Sequence, residues 1–273
     1  MNQQATCEII AVGNELLIGK TLDTNSNWLA KTISSLGMAV KRITIIEDDV
    51  SAIQAAISES LSRKPTLIIT TGGLGPTFDD MTLEGVSKAL GMPLKLNKTA
   101  YKMLRESYRR RFSISELKHI KMTPARKKMA IIPFGSTPIN NPVGSAPGVL
   151  IKREDSTIVI LPGVPSEMKA IFEETVEPMV KMLPGLSQVC EKTLTVIDIM
   201  ESSLAPLIDQ VMKNNPRAYI KSHPKGAEHH FLLELHIRVA DQNPDVVKKT
   251  LEDTVNQIVS LILQNGGKIK SVE

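Results

Sequence analysis

Aromatic side chains are scarce in this chain: five Phe, three Tyr and one Trp among 273 residues. That scarcity argues against a surface that holds nucleic-acid single strands by stacking bases on rings. There are two cysteines, Cys7 and Cys190. They lie too far apart in sequence to suggest a disulfide framework or a cysteine metal site, and they read as buried thiols of a cytoplasmic protein. No apolar run approaches the ~20 residues that cross a bilayer. The first residues, Met-Asn-Gln-Gln-Ala-Thr, lack the basic and apolar regions of a signal peptide. His223, His229, His230 and His236 do not fall at the spacing that pairs metal ligands on a helix. Neither a Ser/His/Asp nor a Cys/His arrangement stands out, and internal repeats are absent.

What is present is an ordinary globular balance, 42% hydrophobic and 23% charged, at a length that accommodates two domains. The formal charge of +4 is unevenly spread, because Lys95 to Lys128 carries twelve Lys or Arg against two acids. A solvated helix face is the default for such a segment, with nucleic-acid binding the alternative, whose affinity would fall steeply with salt. Tyr101, Leu104, Tyr108 and Phe112 give it an apolar stripe at helical spacing.

The most informative stretch is Thr70-Thr71-Gly72-Gly73-Leu74-Gly75-Pro76-Thr77-Phe78-Asp79-Asp80. It follows the apolar run Leu67-Ile68-Ile69 and precedes a helical pattern from Leu83 to Leu90, so the order is strand, glycine turn, helix. Such a turn lets backbone amides approach a phosphate, aided by the helix dipole. Two adjacent carboxylates would repel a bare phosphate, and they make sense with a divalent cation between acid and phosphate. The competing interpretation is a capping box, with Thr77 capping the helix and Asp80 reaching back.

Strand-like Glu8–Val12, Val40–Ile46 and Thr66–Thr71 alternate with helical stripes led by Trp28 and Ile53, which indicates a mostly parallel sheet covered on both faces. Ligands of such sheets sit beyond the carboxyl ends of the strands, where both Gly13-Asn14-Glu15 and the glycine turn fall. Val149–Ile151 and Thr157–Leu161 read as a hairpin, and Pro165 suits the first position of a helix. The composition shifts near Met182–Ser187. Domains are therefore expected at 1–182, a three-layer α/β/α unit, and at 188–273, a small α+β unit in the order β-α-β-β-α.

Gly13–Gly19, Asp23-Thr24-Asn25, Thr70–Asp80, Asn141–Gly148 and Leu161–Met168 together resemble the molybdopterin-binding-like domain of the competence-damage-inducible protein CinA family. The stretch from Lys192 to Ala240, including Ile220–Gly226, is similar to the small domain that follows it. The resemblance implies the MoaB/MogA-like fold and a dimer or higher homo-oligomer. It also implies hydrolysis of ADP-ribose to AMP and ribose 5-phosphate, with Mg²⁺, Mn²⁺ or Co²⁺. The deamidase domain of longer relatives is not expected in these residues. MoaB and MogA bind and adenylate molybdopterin, so a pterin ligand is the alternative. They more usually read Gly-Gly-Thr-Gly, whereas this chain reads Gly-Gly-Leu-Gly.

Under the resemblance, Asp79 and Asp80 hold the metal and act in catalysis, and the amides of Gly72, Gly73 and Gly75 hold a phosphate beside Thr71. Glu15 and Asp23 accept from ribose hydroxyls, Asn141 and Ser145 donate to the ligand, and Arg126 and Lys221 approach its phosphates. Plainer roles stand beside these. Asp23 caps the Trp28 helix, Asn141 and Ser145 stabilise their own loop, and the cations are solvated.

Overall fold

Leu67–Thr71 is buried along its whole length, and Leu-Ile-Ile-Thr-Thr is the kind of unbroken run that a central parallel strand needs. In the computed structural model, which describes residues 4–111, 122–225 and 232–273, this segment is strand β3. Phe112, Gly226, His229, His230 and Phe231 lie outside the described residues. The chain divides into two compact units, Met1–Pro184 and Gly185–Glu273.

The first unit opens with β1 (Thr6–Val12), the single turn α1 (Asn14–Leu17), α2 (Thr24–Ser35), β2 (Ala39–Ile46) and α3 (Val50–Ser62). Then come β3 (Leu67–Thr71), α4 (Thr82–Leu90), β4 (Leu94–Leu96), α5 (Lys98–Arg111), α6 (Pro124–Lys128) and β5 (Ile131–Pro133). It continues with β6 (Thr137–Ile139), β7 (Gly148–Lys152), β8 (Thr157–Leu161) and α7 (Pro165–Ile171). A π-helical turn, Phe172–Val176, leads from α7 into α8 (Glu177–Lys181). The main sheet runs β2-β1-β3-β8-β7-β6. Its first four strands are parallel, and β8, β7 and β6 pair antiparallel. The sheet is therefore mostly parallel, as the alternation of strands and helices predicts.

One face of the sheet buries Ile10, Ile68, Ile158 and Ile160 in a core with Ile53 and Ile57 of α3, Val86 of α4 and Leu104 of α5. Each such side chain contributes about 1.5–3 kcal/mol by leaving water. Tyr101 and Tyr108 pack against the same core, so the apolar stripe of the basic helix has a packing role. α3 and α4 approach closely at Gly85, where a methyl would meet the Ile53 side chain. On the other face α2 packs on β1 and β2, and Trp28 meets Phe172 edge-on at 5.4 Å. Glu8, the buried acid of β1, receives two 2.7 Å hydrogen bonds from the Arg63 guanidinium.

The second unit consists of β9 (Gln188–Ile197), α9 (Glu201–Asn214), β10 (Ala218–Pro224), β11 (Leu232–Asp241), α10 (Pro244–Gln264) and β12 (Lys268–Val272). The sheet order is β10-β11-β9-β12 with every pair antiparallel, a split βαβ plan. Here the structure corrects the sequence, which suggested β-α-β-β-α. The added strand, Lys-Ile-Lys-Ser-Val, is short and carries two lysines, and its β state comes from pairing with β9 rather than from local pattern. No helix among the described residues is long and apolar enough to cross a membrane.

Candidate functional site

The carboxyl ends of β1, β2 and β3 and the turn after β8 surround a cavity of about 260 Å³. Glu15, Asp23, Asp48, Asp79 and Asp80 line it, and among the described residues no Lys or Arg does. The Gly13-Asn14-Glu15 segment and the glycine turn, far apart in sequence, are thus brought to one cavity.

The glycine turn is built by its backbone. Gly72 has φ +109°, a region L side chains rarely enter, and a methyl there would run into the Val12 carbonyl oxygen. The Gly72 N–H donates to Leu161 O at 3.0 Å, and its carbonyl accepts from Thr82 Oγ1 at 2.8 Å. This corrects one expectation: the Gly72 amide is occupied in binding the turn to β8 and does not point at a ligand. Gly72 itself still lines the cavity, as does Gly73, with φ +64°. Gly75 does not, and belongs to a neighbouring hollow.

Beyond the glycines the loop is organised by Thr77. Its N–H donates to Asp80 Oδ2 at 2.8 Å, and its hydroxyl lies within reach of both Asp80 Oδ2, at 2.6 Å, and Asp79 Oδ1. Lys128 Nζ donates to the Thr77 carbonyl at 2.6 Å. The capping-box interpretation is therefore half right: Asp80 does reach back to Thr77, but α4 begins only at Thr82, with Met81 at its cap position. The hydrogen bond from Thr77 holds the Asp79 carboxyl below its ordinary range, with a backbone amide and the Lys128 charge acting the same way.

Asp48 was missed by the sequence reading. It follows β2 and accepts from the Asn14 N–H at 2.7 Å. Burial pushes its pKa up against that hydrogen bond, and the charges of Glu15, Asp79 and Asp80 push it further. Carboxylates from two other loops therefore repel that of Asp48 across one space. The only sequence signal was the run Glu47-Asp48-Asp49 at the end of a β-branched strand; Asp49 serves instead as the cap of α3.

Asp23 combines both of its proposed roles. Its Oδ1 caps α2 by accepting from Ser26 N at 2.9 Å, and the residue lines the cavity. Asn25, also unassigned from sequence, is buried at the cavity wall and donates to Thr71 Oγ1 at 3.0 Å and Gly163 O at 2.8 Å. The Thr71 hydroxyl passes its own hydrogen to Pro162 O at 3.0 Å, so Thr71 positions Asn25 instead of serving a ligand directly. Among the described residues the Asn25 Oδ1 has no partner. A buried acceptor of that kind suits a donor on a bound molecule.

Other expected residues of the first unit are not brought to this cavity. Asn141 is buried, donates to Ala146 O at 2.8 Å and Glu167 Oε2 at 2.6 Å, and accepts from Val143 N and Gly144 N. That exhausts its amide, so it is a loop-holding residue. Ser145, in the same loop, does not line the cavity. Arg126 lies over the Tyr108 ring, 4.8 Å from its centre. Lys221 is an exposed residue of β10 in the second unit. Several cations of the basic segment have internal partners: Arg110 donates to Asn141 O, Lys102 pairs with Glu106, and Lys95 lies over Phe134.

Against protein families, residues 8–182 match the probable molybdopterin binding domain, and the chain belongs to that family. Among full-length relatives it is 42% identical over 260 residues to a protein of Pyrobaculum arsenaticum, covering 95% of both chains. A protein of Sulfurisphaera tokodaii is 41% identical over 263 residues, covering 96% of this chain and 97% of its own. Among solved structures, the protein CinA of Thermoplasma acidophilum, itself described as of unknown function, is 36% identical. It superposes with a TM-score of 0.58, covering 64% of this chain and 98% of that one. The chain is thus CinA-like in its first unit.

The donor set bears on the expected divalent cation. Among the described residues no group of three or more His, Cys, Asp or Glu converges as a protein-only metal cage. A cavity whose charged lining among the described residues is acidic still suits a hard cation that takes its remaining ligands from a phosphate, the usual arrangement for Mg²⁺.

Proposed function

We propose that the first unit binds a phosphorylated pterin-type or nucleotide ligand, with a divalent cation such as Mg²⁺, Mn²⁺ or Co²⁺ between its phosphate and the carboxylates. The observation that carries this reading is the cavity itself: five acids and, among the described residues, no Lys or Arg, beside a phosphate-type glycine turn in a chain of the molybdopterin binding domain family. Two of the carboxylates Asp48, Asp79 and Asp80 would hold the cation, which would neutralise phosphate charge and polarise the phosphoryl group. The amide of Gly73 would face the phosphate, Asn25 Oδ1 would accept from a ligand hydroxyl or amino group, and Glu15 and Asp23 would accept from further hydroxyls.

A second reading is hydrolysis of ADP-ribose to AMP and ribose 5-phosphate. It is favoured by Asp48, whose pKa is raised by burial and by the charges of Glu15, Asp79 and Asp80, because an acid with a raised pKa is suited to taking a proton from attacking water.

Calorimetric titration with a pterin diphosphate and with ADP-ribose, each with and without Mg²⁺ or Mn²⁺, tests the binding. Chromatography of the ADP-ribose mixture for AMP separates the two readings. Metal-dependent binding of the pterin without AMP release supports the first, and metal-dependent AMP supports the second. Binding unaffected by metal, or by Asp48→Asn and Asp80→Asn together, would remove the cation from both.

A further inference from the structure

The main sheet ends in two outer strands, and they are finished differently. At one end β6 is three residues long and holds Pro138, which has no amide to offer a further strand. In the second unit β10 ends on Pro224, and the short β12 carries Lys268 and Lys270. β2, at the other end of the main sheet, has eight residues, Ala-Val-Lys-Arg-Ile-Thr-Ile-Ile, with neither Gly nor Pro. Lys41 and Arg42 guard only its first half, where Lys41 is the extra residue of a bulge against β1. From Ile43 to Ile46 no charge interrupts it. A long apolar edge of this kind is a template for a further strand.

Backbone and side chains of this edge are both turned outward. The Gly13 N–H donates to Ile46 O at 3.0 Å, so the Ile46 main chain faces β1. Successive residues of a strand turn their peptide groups to opposite sides, which directs those of Ile43 and Ile45 away from β1. The side chains of Ile43 and Ile45 share one face, opposite the core that takes Ile46, and are 46% and 38% exposed. Charge along the segment has a direction. Lys41 and Arg42 stand near its start, and Glu47, Asp48 and Asp49 just past its end. Lys41 and Glu47 are both exposed.

We infer that β2 pairs antiparallel with the β2 of a second copy of this chain, about a twofold axis at Thr44, joining two six-stranded sheets edge to edge. The segment is self-complementary about that residue. Placing Thr44 opposite the same residue of the second copy sets each Ile43 against an Ile45 and each Lys41 against a Glu47. The outward peptide groups of Ile43 and Ile45 then exchange hydrogen bonds, and the isoleucines cover one another on the exposed face. The two threonines meet on the opposite face as a cross-strand pair. Sliding the copies by two residues loses this match: one direction sets Lys41 against Ile45, the other Ile43 against Glu47. A parallel copy would set like charges together, which the direction of charge disfavours. The interface needs nothing from the carboxylate cavity, so it stands or falls apart from the proposed function.

Sedimentation velocity on the full chain over a range of concentrations, without ligand or metal, tests the pairing. The parent is expected to be a dimer. Ile43→Lys combined with Ile45→Lys is expected to give a monomer with the parent's circular dichroism. Lys41→Glu sets two acids together on both sides of the axis and is expected to raise the dissociation constant roughly tenfold. Glu47→Lys should do the same with two cations. Combining Lys41→Glu with Glu47→Lys reverses the sign of each pair and is expected to restore the parent's affinity. Both charged positions are exposed, so this cycle is read on folded protein even should the isoleucine variant not fold. A monomeric or trimeric parent overturns the inference and leaves the edge bare or open to a strand of another protein. A dimer indifferent to the single charge reversals, or a combined variant no tighter than the single ones, also overturns it, by placing the contact between copies elsewhere.

Discussion

Two loops at the same edge of the first unit, Leu74–Asp80 and Asn140–Gly148, look alike in sequence. Both are rich in Gly and Pro, both follow apolar runs, and both hold side chains suited to a phosphate or a ribose. In the structure they do opposite things. The Asn141 amide is spent on its own loop and on Glu167, whose carboxyl occupies the space that a side chain at Gly144 would need. The Thr77–Asp80 loop also closes on itself, yet Asp79 and Asp80 still border a cavity shared with acids from two other loops. A loop whose polar atoms are all paired within it is scaffold. One whose carboxylates still border a cavity beside acids of other loops has something left to bind.

The contrast breaks hardest at Asn141. Asn141→Ala strips the partners from several buried polar groups and is expected to destabilise the chain by about 3 kcal/mol. A denaturant titration would show this as a lower midpoint, with Mn²⁺–pyrophosphate affinity intact in the folded protein. Should affinity fall as well, the loop is no mere scaffold.

Asp48→Asn is the mirror image. Mn²⁺–pyrophosphate affinity is expected to drop about tenfold or more. Thermal stability near neutral pH should hold or rise by up to about 1 kcal/mol, because a mutual repulsion is removed. Loss of stability together with unchanged affinity would place Asp48 with the scaffold.

A smaller effect sharpens the same point through pH. The folded protein holds the Asp48 pKa above its unfolded value, so it favours the protonated acid. The contribution of this group to stability is therefore best at acid pH. It declines as pH rises from the ordinary carboxylate value, about 3.9, through the raised one, while cation affinity grows over the same window. Comparing stability against pH for the parent and Asp48→Asn isolates this group; coincident profiles would show that it carries no such burden.

Smallest is Lys128→Met. It frees the Thr77 carbonyl and removes a charge that helps keep Asp79 ionised. Affinity for Mn²⁺–pyrophosphate should change less than about threefold, and a larger change would make Lys128 part of the phosphate site.

Much of this was legible in the residues. The continuous apolar β3, the helical stripes and the strand–glycine–helix order read directly as a mostly parallel sheet with loops at its carboxyl edge, because burial on both faces leaves a local pattern. Asp79 and Asp80 could be named from the glycine turn that follows β3, and Glu15 and Asp23 from the resemblance of their segments to a known family. β12 could not, since its state depends on a partner some seventy residues earlier.

By itself, then, the sequence determined the layers of the first unit, the place where its strands end and the acidic character of the loops there, all of which follow from periodicity and short-range chemistry. Only the tertiary structure decided that Asp48 joins Asp79 and Asp80, that Gly72 gives its amide to Leu161, and that Asn141 is consumed by Glu167. Each of these depends on which loops the parallel strands bring side by side. That order, β2-β1-β3-β8, is set by packing between distant segments and is written in no single stretch of the chain.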